Sequence, residues 1–206
     1  EPQRGYTLAD DLKPFELKQV MMHVARSQSE RGAADEAHGG GGGGADGAHG
    51  GGSLAPKPQT RLEVVRVQRV VNHYLSYMLE KTSKSLCAPL ENRAMPPQGG
   101  YFHGTDKEAC LSICAGGFDD RRWTGGKYGV GQYLSMDAGR AASLKYTKSS
   151  DGLLLLCEAV LGKVWHLRRH ESNHSLNVDR VKAEGYDSLC VPETDEVVVY
   201  LRFQVT

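Results

Sequence analysis

A glycine-rich tract near the N-terminus determines how this chain can be divided. Ten of its 25 glycines lie within residues 39–52, in the stretch HGGGGGGADGAHGGG that begins at His38. Such a tract buries no apolar surface and loses maximal backbone entropy on ordering, so we expect a flexible linker. The sequence therefore predicts an N-terminal helical segment over residues 1–30, a linker over residues 31–60 and one domain over residues 61–206.

Charge and cysteine usage narrow the class of protein. The 206 residues include 25 basic and 25 acidic side chains, a balance that argues against a dedicated nucleic-acid or anionic-membrane binder. The longest mostly apolar run, residues 153–161, is far shorter than the roughly 20 residues of a membrane-spanning helix. Five scattered cysteines without a Cys-x-x-Cys pair favour reduced thiols in an intracellular protein, nuclear or cytoplasmic. Because the chain begins at Glu1 rather than Met, we expect an excerpt of a longer protein.

The apolar pattern predicts an α+β domain. Apolar residues at helical spacing predict helices over residues 14–27 and 68–81, and β-branched residues predict a strand over residues 61–67. Continuous apolar runs predict a buried central strand over residues 153–160 and another strand over residues 197–205. A short strand is also expected around residues 132–135. Strands and short helices do not alternate regularly, so we expect an antiparallel or mixed sheet.

Two short helices are expected where a polar cap follows an extended segment. Thr105 or Asp106 can cap the first, which runs to about Cys114 before a pair of glycines. Ser135 or Asp137 can cap the second, which we expect to continue through Tyr146.

The candidates for phosphate and metal binding are weak. The stretch GGKYGVG over residues 125–131 lacks the spacing of a Walker loop and of a Gly-x-Gly-x-x-Gly motif. His166, His170 and His174 recur every four residues and would align as zinc ligands on a helix. The polar residues between them favour a solvated loop instead, so we predict no metal site.

Residues suited to binding a planar ring and a sugar are distributed over four places in the chain. They are His103 with Gly104 and Thr105, Tyr133 after a glycine turn, Ser143 with Tyr146, and Glu196 at the start of EVVVYLRFQV. A glycine beside a histidine lets a ligand approach the backbone, while the imidazole can bond a sugar hydroxyl. Taken singly, each side chain is better interpreted as a core aromatic, a structural histidine or a solvated carboxylate, since such residues are mostly structural or at the surface.

In this order and spacing, the residues resemble the catalytic domain of the poly(ADP-ribose) polymerase family, within the His-Tyr-Glu ADP-ribosyltransferase superfamily. The resemblance covers about residues 61–206 and rests on RLEVVRVQRVVNHYLSYM, HGT, YGVGQYLS, SLKY, LLLLCEAVLG, GYDS and EVVVYLRFQV. It implies the ADP-ribosyltransferase fold, in which split antiparallel or mixed β-sheets with short flanking helices surround an NAD+ cleft.

The resemblance also implies how the sugar portions of NAD+ are held. His103, with Thr105 nearby, would bind the adenosine-side ribose, and the Gly104 backbone would pair with the nicotinamide carboxamide. Glu196 would bind the 2′-hydroxyl of the nicotinamide ribose and orient the acceptor. A fixed carboxylate is useful there because breaking the glycosidic bond develops positive charge on the sugar.

For the nicotinamide ring, the resemblance implies that Tyr146 stacks on one side, Tyr133 brackets the other and the Ser143 hydroxyl binds the amide. Aromatic faces hold a planar ring with little loss of side-chain entropy. The expected catalytic residues are His103, Tyr133 and Glu196, with NAD+ as co-substrate.

The departures from the family pattern bear on the product. Elongating polymerases usually carry a Lys before the nicotinamide-binding serine, where this chain has Ala142. We therefore predict mono- or short-oligo-ADP-ribosylation of protein acceptors, with the chain itself as one candidate acceptor, without membrane or direct nucleic-acid binding by this segment. Long-chain polymer synthesis, a toxin-like mono-ADP-ribosyltransferase and a non-catalytic NAD+ or ADP-ribose binding module remain alternatives.

A basic turn precedes Tyr133. Arg121, Arg122 and Lys127 lie in the segment that covers the donor site in the family. They could meet the NAD+ pyrophosphate, and a solvated turn is an equally good interpretation.

Overall fold

The structure, a computed structural model, describes residues 7–9 (as backbone), 67–86, 100–142 and 153–206. Its strands are β1 (Thr7–Ala9), β2 (Arg69–Val71), β3 (Tyr101–Thr105), β4 (Gly125–Gly126), β5 (Gly129–Val130), β6 (Gln132–Ser135), β7 (Leu153–Cys157), β8 (Val164–His166), β9 (Ser188–Val191) and β10 (Glu196–Val199). Its α-helices are α1 (His73–Ser83), α2 (Lys107–Gly116), α3 (Ala138–Ala141) and α4 (Val178–Ala183), with short 3₁₀ turns at Asp120–Arg122, Pro192–Thr194 and Arg202–Gln204.

A six-stranded sheet organises the described part of the chain. Its order is β7-β3-β6-β10-β9-β8. All neighbours are antiparallel except β8 and β9, which run parallel. The expected α+β architecture with a mixed, mostly antiparallel sheet is confirmed. Two smaller ladders, β1 with β2 and β4 with β5, complete the strand pairing.

Both faces of this sheet are covered, which explains why β10 reads as an unbroken apolar run. Val197 and Val199 pack with Tyr101 into the cluster on one face. Val198, between them, packs with Tyr128 into the cluster on the other. Because successive strand residues point to opposite faces, a strand buried on both sides needs apolar residues at every position.

The prediction of a buried central strand over residues 153–160 is wrong in both length and position. The strand ends at Cys157, and among the described strands β7 pairs with β3 alone, at the edge of the sheet. Leu153 and Leu156 are 39% and 38% exposed. Beyond the strand, Ala159 forms an isolated bridge with Val205, so the C-terminal segment covers the second half of the apolar run.

The predicted strand over residues 197–205 is also too long, because a polar side chain ends it. Gln204 is fully buried, and its Oε1 accepts hydrogen bonds from the backbone N–H of Tyr200 (3.1 Å) and Leu201 (2.8 Å). Its Nε2 donates to the carbonyls of Val160 (3.3 Å) and Asp187 (3.2 Å). These bonds take over backbone groups that a longer strand would have paired, and the chain turns into a 3₁₀ helix.

The predicted helix over residues 68–81 starts later than expected. Arg69–Val71 forms β2, antiparallel to Thr7–Ala9. Asn72 then caps α1 by accepting a hydrogen bond from Leu75 N (3.1 Å). The capping amide separates the β-branched pair before it from the helix after it. The helix predicted over residues 14–27, the linker, and residues 61–66 of the predicted strand lie outside the described residues.

The two short helices around the site begin at their predicted caps. Asp106 accepts a hydrogen bond from Ala109 N (2.8 Å) at the start of α2. The residue after the helix, Gly117, is its C-cap and has φ +76°. Asp137 starts α3. This helix is described only to Ala141, and the rest of its predicted length, with Ser143 and Tyr146, lies outside the described residues.

Within the described residues no helix is long and apolar enough to cross a membrane. The four described cysteines, Cys110, Cys114, Cys157 and Cys190, are free thiols.

Candidate active site

The candidate site lies where two neighbouring strands of the sheet separate. β3 pairs with β7 along its whole length, from Tyr101↔Cys157 to Thr105↔Leu153. With β6 on its other side it is in register only at Phe102↔Ser135. The sheet therefore opens between β3 and β6 beyond that pair, along His103, Gly104 and Thr105.

The imidazole of His103 bridges this opening. Its Nδ1 lies 3.2 Å from the Tyr133 carbonyl oxygen and 3.1 Å from Nε2 of Gln132. The ring also meets Phe118 edge-on, with centroids 5.0 Å apart. In the tautomer whose Nδ1–H donates to the Tyr133 carbonyl, Nε2 is left to accept a hydrogen bond from a ligand hydroxyl.

The protonation state of His103 suits that role. Burial lowers the pKa of His103 from its ordinary value, and the hydrogen bond to the Tyr133 carbonyl opposes this shift in part. The side chain is therefore neutral at neutral pH. A neutral imidazole keeps one nitrogen as an acceptor, which a charged imidazolium lacks.

Tyr133 is fixed at both ends. Its backbone is in β6, and its hydroxyl accepts a hydrogen bond from Tyr128 N (2.8 Å) and donates one to the Gly129 carbonyl (3.0 Å). A Cβ at Gly126 would lie 2.4 Å from this hydroxyl oxygen, so a side chain cannot replace that glycine without displacing the tyrosine. The glycine turn of β4 and β5 thus closes over the end of the Tyr133 ring.

A second loop supports this turn. Val130 N donates to the Leu176 carbonyl (2.9 Å), and Lys127 Nζ donates to the Arg169 carbonyl (2.5 Å). Gly129 has φ +85°, and a Cβ there would lie 2.0 Å from the Leu176 carbonyl oxygen. The glycines of GGKYGVG therefore allow two loops to pack closely.

The three periodic histidines belong to this supporting region. His166 ends β8, and no helix is present from there through His174. The Nδ1 of His174 lies 2.9 Å from the Gly126 carbonyl oxygen, which ties the loop to the glycine turn. The loop interpretation is confirmed, and helical alignment of three zinc ligands is excluded.

Glu196 begins β10 on the far side of β6, opposite Ser135. Its Oε1 lies 2.9 Å from Arg140 Nη2, and its Oε2 accepts a hydrogen bond from Thr194 Oγ1 (2.9 Å). The side chain is 14% exposed. The carboxylate is therefore oriented by one charged and one neutral donor while part of it faces solvent.

The three expected catalytic residues come from three consecutive strands of the sheet, β3, β6 and β10. His103 contacts Tyr133 directly through its carbonyl. Glu196 is joined to Tyr133 through the β6–β10 ladder, where Val198 faces Tyr133 and Glu196 faces Ser135. Because directly opposed residues share a face, the side chains of Tyr133 and Glu196 point to the same side of the sheet.

The remaining predicted ligand-binding residues divide into two groups. Gly104 and Thr105 are buried at the end of β3, beside the opening. Ser143 and Tyr146 lie outside the described residues.

Three residues at the site were missed by the sequence-based prediction: Gln132 beside His103, and Arg140 and Thr194 beside Glu196. Gln132 carries a weak signal, as a polar residue within a short apolar strand. Arg140 and Thr194 carry no such signal, since their contacts with Glu196 depend on how α3 and the 3₁₀ turn before Glu196 meet at the end of the sheet.

The basic turn before Tyr133 is occupied by its own ion pairs. Arg121 donates from Nε and Nη2 to Asp119, each at 2.9 Å, and Arg122 Nε lies 4.0 Å from the same carboxylate. The Arg121 hydrogen bond lowers the pKa of Asp119 to about 2. Both arginine side chains are strongly exposed, which favours the solvated-turn interpretation.

The composition of the site fits a dinucleotide that carries an amide-substituted ring. A strand end with a glycine offers backbone groups to a carboxamide, a neutral imidazole can accept from one ribose, and an oriented carboxylate can accept from another. Within the described residues no cluster of three or more potential metal ligands is present.

Comparison with known proteins gives an independent result. The family model described as the poly(ADP-ribose) polymerase catalytic domain matches residues 51–200. This range covers more than half of the chain and includes His103, Tyr133 and Glu196. A search of curated proteins found no match.

Proposed function

This chain belongs to the poly(ADP-ribose) polymerase family, whose catalytic domains are NAD+-dependent ADP-ribosyltransferases, and on that premise we propose that it transfers ADP-ribose to protein side chains. The product is a single unit or a short oligomer, and nicotinamide is released. One observation carries the proposal: three adjacent strands carry His103, whose imidazole contacts the Tyr133 carbonyl, Tyr133, whose hydroxyl is held by two hydrogen bonds, and Glu196, whose carboxylate is oriented by Arg140.

Glu196 acts on the bond that breaks. As the bond between nicotinamide and the ribose C1′ lengthens, its electron pair leaves with the nicotinamide and positive charge develops on the sugar. The Glu196 carboxylate accepts a hydrogen bond from the 2′-hydroxyl and stabilises that charge. The acceptor side chain, which Glu196 orients, then attacks C1′ and releases its proton to solvent. The contacts with Arg140 and Thr194 support this role, because a carboxylate oriented before the reaction needs little reorganisation during it.

The other residues hold the donor. His103 Nε2 binds the adenosine-side ribose with Thr105 nearby, and the Gly104 backbone binds the nicotinamide carboxamide. Tyr133 brackets the ring together with Tyr146. Ser143, the remaining member of this set, binds the amide. Holding the ring and sugar in one geometry lowers the entropic part of the barrier.

The proposal of short products rests on Ala142, at the position where elongating polymerases usually carry a Lys. Polymer synthesis is the second candidate, because Glu196 is retained. We expect the protein to act in the nucleus or cytoplasm on protein acceptors, with the chain itself as one candidate acceptor. The free thiols of the described residues agree with a reducing compartment.

The chain length can be tested by incubating the protein and a mixture of candidate acceptors with labelled NAD+ and separating the products on a denaturing gel. Mono- or short-oligo transfer gives discrete labelled bands, whereas a smear of long products contradicts it. Glu196→Gln, which keeps the side-chain size, serves as the control and should reduce the label about a hundredfold. No label with the unmodified chain, despite nicotinamide release, would contradict transfer to protein.

A further inference from the structure

An arginine outside the expected catalytic set is paired with the expected catalytic carboxylate. Arg140 Nη2 lies 2.9 Å from Glu196 Oε1, and the two side chains are 31% and 14% exposed. An ion pair this sheltered is screened less than one on the open surface. The pair joins α3 to the start of β10, two elements that are not adjacent in sequence.

The base of Arg140 is held firmly. The backbone N–H of Arg140 donates to the Asp137 carboxylate (2.6 Å), which caps α3. Ala138 and Ala141 are buried on the other face of this short helix, packed with Phe102 of β3. With one face of the helix fixed on the sheet, the guanidinium reaches Glu196 from a defined position.

The turn that carries Glu196 is held as well. The Asp195 carbonyl accepts a hydrogen bond from Met136 N (2.9 Å), next to the β6–β10 ladder. Thr194 Oγ1 donates to Glu196 Oε2, while Arg140 binds Oε1. Each carboxylate oxygen has two acceptor directions. Among the described residues, one direction on each oxygen is thus taken, and the other is left for a substrate hydroxyl.

We propose that Arg140 is a positioning residue that fixes the Glu196 carboxylate in its working orientation; this inference rests on the proposed function. Its charged hydrogen bond to Oε1, together with the Thr194 bond to Oε2, fixes the rotation of the carboxylate. Arg140 acts on catalysis through Glu196 and does not itself bind the donor.

The kinetic test compares the unmodified chain with Arg140→Met, Arg140→Lys, Glu196→Gln and the double variant Arg140→Met/Glu196→Gln, measuring nicotinamide release over a range of NAD+ concentrations. We expect Arg140→Met to lower kcat about 10- to 100-fold, as for a misplaced catalytic group, with KM changed less than about threefold. Arg140→Lys restores most of kcat because it retains a charged donor.

The double variant gives the decisive comparison. If Arg140 acts through Glu196, then Arg140→Met lowers the residual rate of the Glu196→Gln variant by less than about twofold. An equally large loss in both backgrounds would overturn the proposal. So would a raised KM with unchanged kcat, which indicates direct binding of the donor. Arg168→Met, at an exposed position, is the matched control and should leave both constants unchanged.

A second readout separates this inference from the proposed function. The unmodified chain, Arg140→Met, Glu196→Gln and the double variant form a double-mutant cycle. If the ion pair forms, urea denaturation of these four proteins should show non-additive losses of stability, whether or not the chain has activity. Additive losses would overturn the pairing itself. Non-additive losses without nicotinamide release would instead contradict the proposed function.

Discussion

The hydroxyl of Tyr133 provides a direct test of how the glycine turn is held over the site. Tyr133→Phe keeps the ring and removes two hydrogen bonds, one from Tyr128 N (2.8 Å) and one to the Gly129 carbonyl (3.0 Å). Each such bond contributes about 1 kcal/mol net. Their loss therefore favours opening of the turn by about 2 kcal/mol, which corresponds to roughly 30-fold in the equilibrium between closed and open forms.

Amide hydrogen exchange measures this opening where it occurs. In Tyr133→Phe the amide of Tyr128 should exchange roughly 30-fold faster than in the unmodified chain. The KM for NAD+ should rise at the same time, because the turn lies over the ring of a residue expected to bracket nicotinamide. Amides of β10, such as Val198, should keep their exchange rates.

The neighbouring tyrosine offers a matched control. Tyr128 is fully buried, and its hydroxyl has no hydrogen-bond partner among the described residues. Removing an unpaired buried hydroxyl relieves a desolvation cost. Tyr128→Phe should therefore leave exchange unchanged and stability equal or higher. Equal exchange in the unmodified chain and Tyr133→Phe would refute the reasoning, as would equal destabilisation by both substitutions.

Three further predictions concern pH, buried polarity and thiol reactivity. Because the folded-state pKa of His103 lies below its ordinary value of 6.5, the unfolded state binds the proton first as the pH falls. The free energy of unfolding should then decline from about pH 6.5 toward the folded-state pKa, and His103→Gln should flatten this decline in urea titrations across that range; an identical slope in both proteins would contradict it. Gln204→Leu removes four hydrogen bonds to backbone groups and should cost about 4 kcal/mol in chemical denaturation, whereas a loss below about 1 kcal/mol would show that the side chain is dispensable. A hydrogen bond with a neighbouring thiol lowers the pKa of Cys110 to about 7, whereas burial raises the pKa values of Cys157 and Cys190 to about 12 and about 11. Brief alkylation near neutral pH followed by mass spectrometry should therefore label Cys110 before the other two. Equal labelling of the three would refute this order.

Local sequence signals correctly predict several elements around the site. Asp106 and Asp137 begin their helices at the predicted caps because a side-chain oxygen satisfies an otherwise unpaired backbone N–H. The strand that carries Tyr133 has the predicted bounds. These features depend on a few neighbouring residues, so a single sequence contains the information for them.

Features that depend on distant contacts were not predictable in this way. Continuous apolar runs indicate buried residues, but they do not give the place of a strand in the sheet. The position of β7 at the edge of the sheet was therefore not predictable from its apolar run. Gln204 ends the C-terminal strand by bonding to segments far away in sequence. The Arg140–Glu196 pair likewise forms where α3 meets the start of β10, and neither residue predicts the other.

The central claim is that the chain breaks the bond between nicotinamide and ribose and that Glu196 is required for it. The most direct measurement is nicotinamide release from NAD+ by the unmodified chain and by Glu196→Gln, together with NAD+ binding to both. We expect the unmodified chain to release nicotinamide, and the rate of release to fall on the order of a hundredfold in Glu196→Gln, equivalent to about 3 kcal/mol of transition-state stabilisation. Both proteins should retain NAD+ binding. NAD+ binding without release by the unmodified chain, or full release by Glu196→Gln, would contradict the claim.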